Sequence, residues 1–155
     1  MIIKNGRVFQ EDGTFAEKDL YIEGKRFVST KEEVIDQEVI DAKGMMVLPG
    51  LVDVHSHGAA GHDFSDGDVE GLKEILRYEK AHGITSYCPT SMTLPKDDLL
   101  KIFGIIEAIK DEPEAEVIAG VNMEGPFIDP IKKGAQAEEN IVAPNAEFFL
   151  SLIHI

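Results

Sequence analysis

From Gly50 onward the chain alternates strand, loop and helix three times, and this alternation limits the fold more than any other feature of the sequence. An apolar run at 51–55 reads as the first strand. The helix that follows begins after Asp68, sets Val69, Leu72, Ile75 and Leu76 on one face, and stops at His82-Gly83, where glycine takes the left-handed cap conformation. A second strand at 85–89 leads to a helix after Pro95, with Leu99, Ile102, Phe103, Ile106 and Ile109 at helical spacing and a stop near Glu112-Pro113. A third strand is expected at 116–121, then a polar loop over 129–140 and a helix from about Pro144. Strands that each hand on to a helix pair in parallel through right-handed crossovers, so this part predicts a parallel α/β sheet.

The residues before Gly50 follow a different pattern. Short strands are expected at 2–3, 7–9, 19–22, 25–28, 39–40 and 45–48, with Asn5-Gly6 and Glu23-Gly24 as hairpin-type turns. The sequence therefore divides into a small β unit at 1–48 and an α/β unit at 49–155.

Composition excludes several functional classes. Twenty-nine acidic residues against 15 basic ones give a net charge of −14, with the acids spread along the chain. Phosphate contacts need a basic stripe that is absent, so nucleic acid is not an expected partner. No apolar stretch approaches membrane-spanning length, and the N-terminus lacks the basic, apolar and small-residue regions of a signal peptide. A membrane is likewise not an expected partner, and a cytoplasmic protein is expected. The single cysteine, Cys88, cannot form an internal disulfide and reads as a small buried residue on a strand.

Two motifs carry the chemistry. The run Leu48-Pro49-Gly50-Leu51-Val52-Asp53-Val54 closes on His55-Ser56-His57, and Val117-Ile118-Ala119-Gly120-Val121 leads to Met123-Glu124-Gly125-Pro126-Phe127. In a strand, residues i and i+2 point to one side, so His55 and His57 can offer two imidazoles to one point, and a second strand end can bring Glu124 there. Imidazole nitrogen and carboxylate oxygen are ligands of hydrolytic Zn²⁺ or Fe²⁺, and the carboxyl ends of strands are the active-site end of an α/β barrel. Taken alone, two strand-end histidines are more often satisfied side chains than ligands; Glu124 together with the further motifs below turns the balance. His62, in a Gly-rich loop, and His82, at a helix C-terminus, receive no role. Lys132-Lys133-Gly134 is either a phosphate contact or a solvated loop pair.

Together with Pro89-Thr90-Ser91 and Lys132-Lys133-Gly134-Ala135-Gln136, these motifs resemble those of the N-acetylglucosamine-6-phosphate deacetylases of the amidohydrolase superfamily. The resemblance runs to about Leu150. It implies an incomplete β/α (TIM-type) barrel, of which the chain holds the first three βα units, preceded by a small β-sandwich half-domain. It makes Glu124 a direct metal ligand, with His55 and His57 as ligands of a second metal in members that keep both histidines. Relatives elsewhere in the superfamily often use a carboxylated lysine where this family uses glutamate. Ala135 and Gln136 match the position where the family contacts the sugar.

The implied activity is metal-dependent hydrolysis of N-acetylglucosamine 6-phosphate to glucosamine 6-phosphate and acetate, with one or two ions of zinc or iron as cofactor. The partner would be the small amino-sugar phosphate, and the full-length protein would be a homodimer. Two further histidines and a proton-transferring aspartate come from later strands in the family, so no catalytic residue is assigned in this chain. Three βα units cannot close a barrel that takes roughly 250 residues. The chain is therefore expected to be a fragment whose last five residues, 151–155, depart from the family, and to be inactive alone. Two other readings stand beside this one: another amidohydrolase, such as a cyclic-amide hydrolase or deaminase, and a non-catalytic metal-binding or assembly protein.

Overall fold

The structure, a computed structural model, describes residues 1–35 and 38–153. Of the segment expected to depart from the family, His154 and Ile155 lie outside the described residues. The chain forms two compact units, Met1–Pro49 and Gly50–Ile155.

In the first unit β1 (Ile2–Phe9) is the central strand. Along one edge β2 (Phe15–Glu23) runs antiparallel to it, and β3 (Arg26–Val28) extends the sheet beyond β2. Along the other edge β1 pairs in parallel with two short strands in succession. β4 (Val39–Asp41) lies against Ile2, Ile3 and Lys4, and β5 (Met46–Val47) against Arg7 and Val8. Glu23-Gly24 opens the turn between β2 and β3 as expected, with Gly24 at φ 59°.

Asn5-Gly6 is not a hairpin turn. It is an irregularity inside β1, where the pairing with β2 skips between Ile3 and Gly6 and Asn5 takes φ 60°. Asp19 Oδ1 accepts the Asn5 backbone N–H at 3.1 Å, and Asp41 Oδ1 accepts the Asn5 side-chain amide at 2.9 Å, so carboxylates on β2 and β4 hold the left-handed residue. A bulge and a tight turn both ask for positive φ, and Asn-Gly suits either. Ile2, Val8, Val34 and Ala42 are buried in this unit. Phe9, Leu20, Tyr21, Phe27 and Leu48 line an open groove of about 750 Å³.

The second unit begins with β6 (Leu51–Ser56), followed by a tight hairpin of β7 (Gly58–Ala59) and β8 (His62–Asp63). Helix α1 (Val69–Ala81) starts where Asp68 Oδ2 accepts the Gly71 N–H at 2.8 Å, and stops at His82-Gly83, with Gly83 at φ 87°. Strand β9 (Ile84–Ser91) pairs in parallel with β6 on one side and with β10 (Asn122–Met123) on the other. Between β9 and β10 lies α2 (Lys96–Ile109), and α3 (Ala146–Ile153) closes the described chain.

The core of this unit joins Leu72, Ile75 and Leu76 of α1, Tyr87 of β9, and Leu99, Ile102, Ile105 and Ile109 of α2. The buried side of α2 passes through Ile105 rather than the expected Ile106, which packs at the margin with Phe103. Tyr87 donates its hydroxyl to the Ser56 carbonyl at 3.3 Å, and burial pushes its pKa up to about 12.

The third strand is shorter than expected. Pro113–Val117 forms a 3₁₀ turn with proline in its first turn, and Ala115 and Val117 pack into the core from that turn. Ile118 makes a single parallel bridge with Tyr87, and regular pairing begins only at Asn122. The polar loop 129–140 contains two further 3₁₀ turns, Pro130–Lys132 and Glu138–Asn140.

Candidate metal centre

The three parallel strands deliver their motifs to one end of the sheet. His55 lies in the last turn of β6 pleating, His57 just beyond it, and Glu124 immediately after β10. Nε2 of His55 is 3.2 Å and Nε2 of His57 3.1 Å from the same oxygen, Oε2 of Glu124. One donor atom from each residue falls within 4.8 Å of the others. The imidazoles stand edge to face, with ring centroids 5.4 Å apart and planes at 81°. The site is open: the His55 side chain is 52% exposed, those of His57 and Glu124 about a third.

The donor set fits a divalent cation. His57 Nδ1 lies 3.1 Å from the Thr90 carbonyl oxygen, which only accepts, so Nδ1 carries the hydrogen. In the neutral ring, Nε2 then turns a lone pair toward Glu124 Oε2. Two acceptors face one another at 3.1 Å, an arrangement that calls for a proton or a metal ion between them. Tetrahedral zinc, with ligands about 2.0–2.2 Å away, sets neighbouring donors roughly 3.3–3.5 Å apart. Both distances to Glu124 lie within a few tenths of an ångström of that spacing. A backbone carbonyl on the far nitrogen of a ligating histidine is also a usual way of fixing its tautomer.

Several backbone and side-chain bonds hold these groups in place. Asp53 Oδ1 accepts the His55 N–H at 2.9 Å, and Asn122 Nδ2 donates across to the Val54 carbonyl at 3.0 Å, tying the Glu124 strand to the histidine strand. Thr93, just after β9, donates its hydroxyl to the Glu124 carbonyl at 2.9 Å. Its own N–H goes to Gln136 Oε1 at 2.7 Å, and its carbonyl accepts from Asn140 Nδ2 at 3.0 Å. Gly125, at φ 86°, packs so closely that a Cβ there would sit 2.1 Å from the Thr93 hydroxyl.

Behind the sheet, Glu79 of α1 is 8% exposed, and burial, reinforced by the charge of Asp53, raises its carboxyl above the ordinary range. His82 pulls in the opposite direction.

His55, His57 and Glu124 are thus brought together, while Ala135 and Gln136 lie on the loop beyond. Ala135 is exposed; Gln136 is 4% exposed, with its side chain turned to Thr93 and Met92. Lys133 Nζ donates to the Gln136 carbonyl at 3.1 Å, and His82 Nδ1 meets the Tyr78 carbonyl at 2.8 Å at the end of α1. Thr93 was given no role by the sequence reading, and neither was Thr90, although it belongs to a motif noted there. Their position at the end of the central strand was the available signal.

Parallel strands that bring imidazole and carboxylate donors together at their carboxyl ends define the class of α/β proteins suited to metal-dependent hydrolysis. The chain belongs to the amidohydrolase family, whose sequence model matches residues 38–154. It is 32% identical over 145 residues to the N-acetylglucosamine-6-phosphate deacetylase of Mus musculus, covering 88% of this chain and 36% of that one. Among solved structures, the N-acetylglucosamine-6-phosphate deacetylase of Thermotoga maritima aligns with a TM-score of 0.74 and 27% identity, over 97% of this chain and 39% of that one. The enzyme of the same name from Pasteurella multocida aligns with a TM-score of 0.83 and 24% identity, over 99% of this chain and 41% of that one. The chain therefore spans well under half the length of the relatives it matches. No helix among the described residues is long and apolar enough to cross a membrane.

Proposed function

We propose that this chain supplies the first part of a metal-dependent N-acetylglucosamine-6-phosphate deacetylase, the enzyme that frees acetate and glucosamine 6-phosphate from its substrate. The observation that carries this reading is the glutamate of Glu124-Gly125-Pro126-Phe127 facing both histidines of His55-Ser56-His57 through one oxygen. In the same reading 1–48 is half of a β-sandwich, and its open apolar groove is consistent with that. Residues 49–155 supply the first three βα units of a barrel, in agreement with β6, β9 and β10 lying side by side in chain order.

His55, His57 and Glu124 would hold a divalent ion, zinc or iron by donor type. When bound, such an ion acidifies water and polarises an amide carbonyl. The residues of the chain itself do the positioning. The Thr90 carbonyl fixes the His57 tautomer, and Thr93 and Asn122 anchor the backbone that carries Glu124. Ala135, exposed on the following loop, would face the sugar phosphate, with Gln136 beneath it.

The test sequences the source DNA through and beyond codon 155 and assays the full-length protein it encodes. Acetate release from N-acetylglucosamine 6-phosphate, with no turnover of hydantoin or dihydroorotate, is the expected result. Turnover of a cyclic amide instead would assign the protein to another branch of the family.

A further inference from the structure

We infer that Thr93 is a positioning residue for Glu124, an assignment that rests on the metal-site reading above. Thr93 is 1% exposed, and its hydroxyl, N–H and carbonyl are each engaged by a different part of the chain. The hydroxyl donates to the backbone carbonyl of Glu124 itself, at 2.9 Å. Glu124 needs such an anchor because regular strand pairing ends one residue earlier, at Met123, and Gly125 follows in a left-handed conformation. The Thr93 hydroxyl holds the backbone carbonyl of the one residue between that last strand pair and the glycine.

The two other bonds explain how Thr93 is itself held. Gln136 takes its N–H at 2.7 Å and Asn140 its carbonyl at 3.0 Å, both from the loop that follows Glu124. That loop therefore folds back and clamps the residue that fixes the carboxylate. Gln136 acts in this way through a buried side chain, and its contribution to the site is made through Thr93.

The test compares Co²⁺ binding by the full-length protein in its wild-type, Thr93→Val and Thr93→Ser forms, with affinity and the visible absorption of the bound ion as readouts. Valine keeps the shape and removes the donor; serine restores it. Thr93→Val is expected to bind Co²⁺ about tenfold more weakly, the lower end of what loss of a supporting hydrogen bond costs a metal site, and to shift the absorption band. Thr93→Ser is expected to recover both. Equal affinity and an unchanged band in Thr93→Val would overturn the inference while leaving the metal site standing. A full-length wild-type protein that binds no Co²⁺ would overturn the site reading and the inference with it. Should Thr93→Val fail to fold, Asn140→Ala carries the test from a half-exposed position: it is expected to weaken Co²⁺ by less than the roughly tenfold of the Thr93 variant, and unchanged affinity would overturn the inference.

Discussion

Thr90 shapes the candidate metal site through its backbone: its carbonyl oxygen lies 3.1 Å from Nδ1 of His57 and leaves Nε2 to face Glu124. Removing either member of that facing pair takes away a ligand, whereas removing a support only loosens one. Isothermal titration of Zn²⁺ into His57→Ala and Glu124→Gln should therefore show losses greater than the roughly 10–100-fold typical of a lost supporting bond. Binding that survives either change would place the ion elsewhere.

A ligand that binds the folded chain and not the unfolded one stabilises it by about 2.7 kcal/mol when present at a hundred times its dissociation constant. Adding Zn²⁺ is expected to raise the melting temperature, and a chelator to reverse the gain. Both effects should vanish in Glu124→Gln, which separates site binding from non-specific ion effects on a chain of net charge −14.

Glu79 gives a pH dependence whose sign follows from its burial. Its carboxyl is raised above the ordinary range, so the folded protein keeps this proton to higher pH than the unfolded chain does. The favourable contribution is full below the unfolded carboxylate value and is lost as pH rises through the raised folded one. Glu79→Gln cannot ionise. Thermal melts should show it gaining stability relative to wild type at about pH 8 and losing that advantage near pH 4.

Gly125 combines φ 86° with a Cβ direction blocked by Thr93. Gly125→Ala is expected to lower stability by about 1–3 kcal/mol from the backbone conformation alone, with the clash added. Urea denaturation measures the first effect, and a parallel loss of Zn²⁺ affinity reports the displacement of Glu124.

Ile75 is fully buried between the helices and the sheet. Ile75→Ala should cost about 2–5 kcal/mol in the same denaturation experiment, the range for a large side chain removed from a packed core.

The parts of the fold visible in the sequence were those set by long periodic signals. The Leu72-Ile75-Leu76 stripe, bounded by Asp68 and Gly83, marks α1 because capping and burial agree. The candidate metal donors were visible for a related reason: a strand carries i and i+2 to the same side, so His55 and His57 share a common target. Short signals were ambiguous. Asn5-Gly6 satisfies a bulge as well as a turn, and Val117, expected within the third strand, reaches the core from a 3₁₀ turn. Thr93 was hidden because its role depends on hydrogen bonds to residues 31, 43 and 47 positions away, which no local pattern encodes.

The position of β9 has a consequence for the order of assembly. The histidine strand and the glutamate strand are not neighbours in the sheet; β9 lies between them, and His55 and Glu124 are 69 residues apart in sequence. The three groups thus cannot gather by closing a short local loop; they meet only when strands distant in sequence are paired, a non-local step. Capture of an ion by all three in a refolding experiment would report that pairing, and would make bound metal a clock for completion of the sheet.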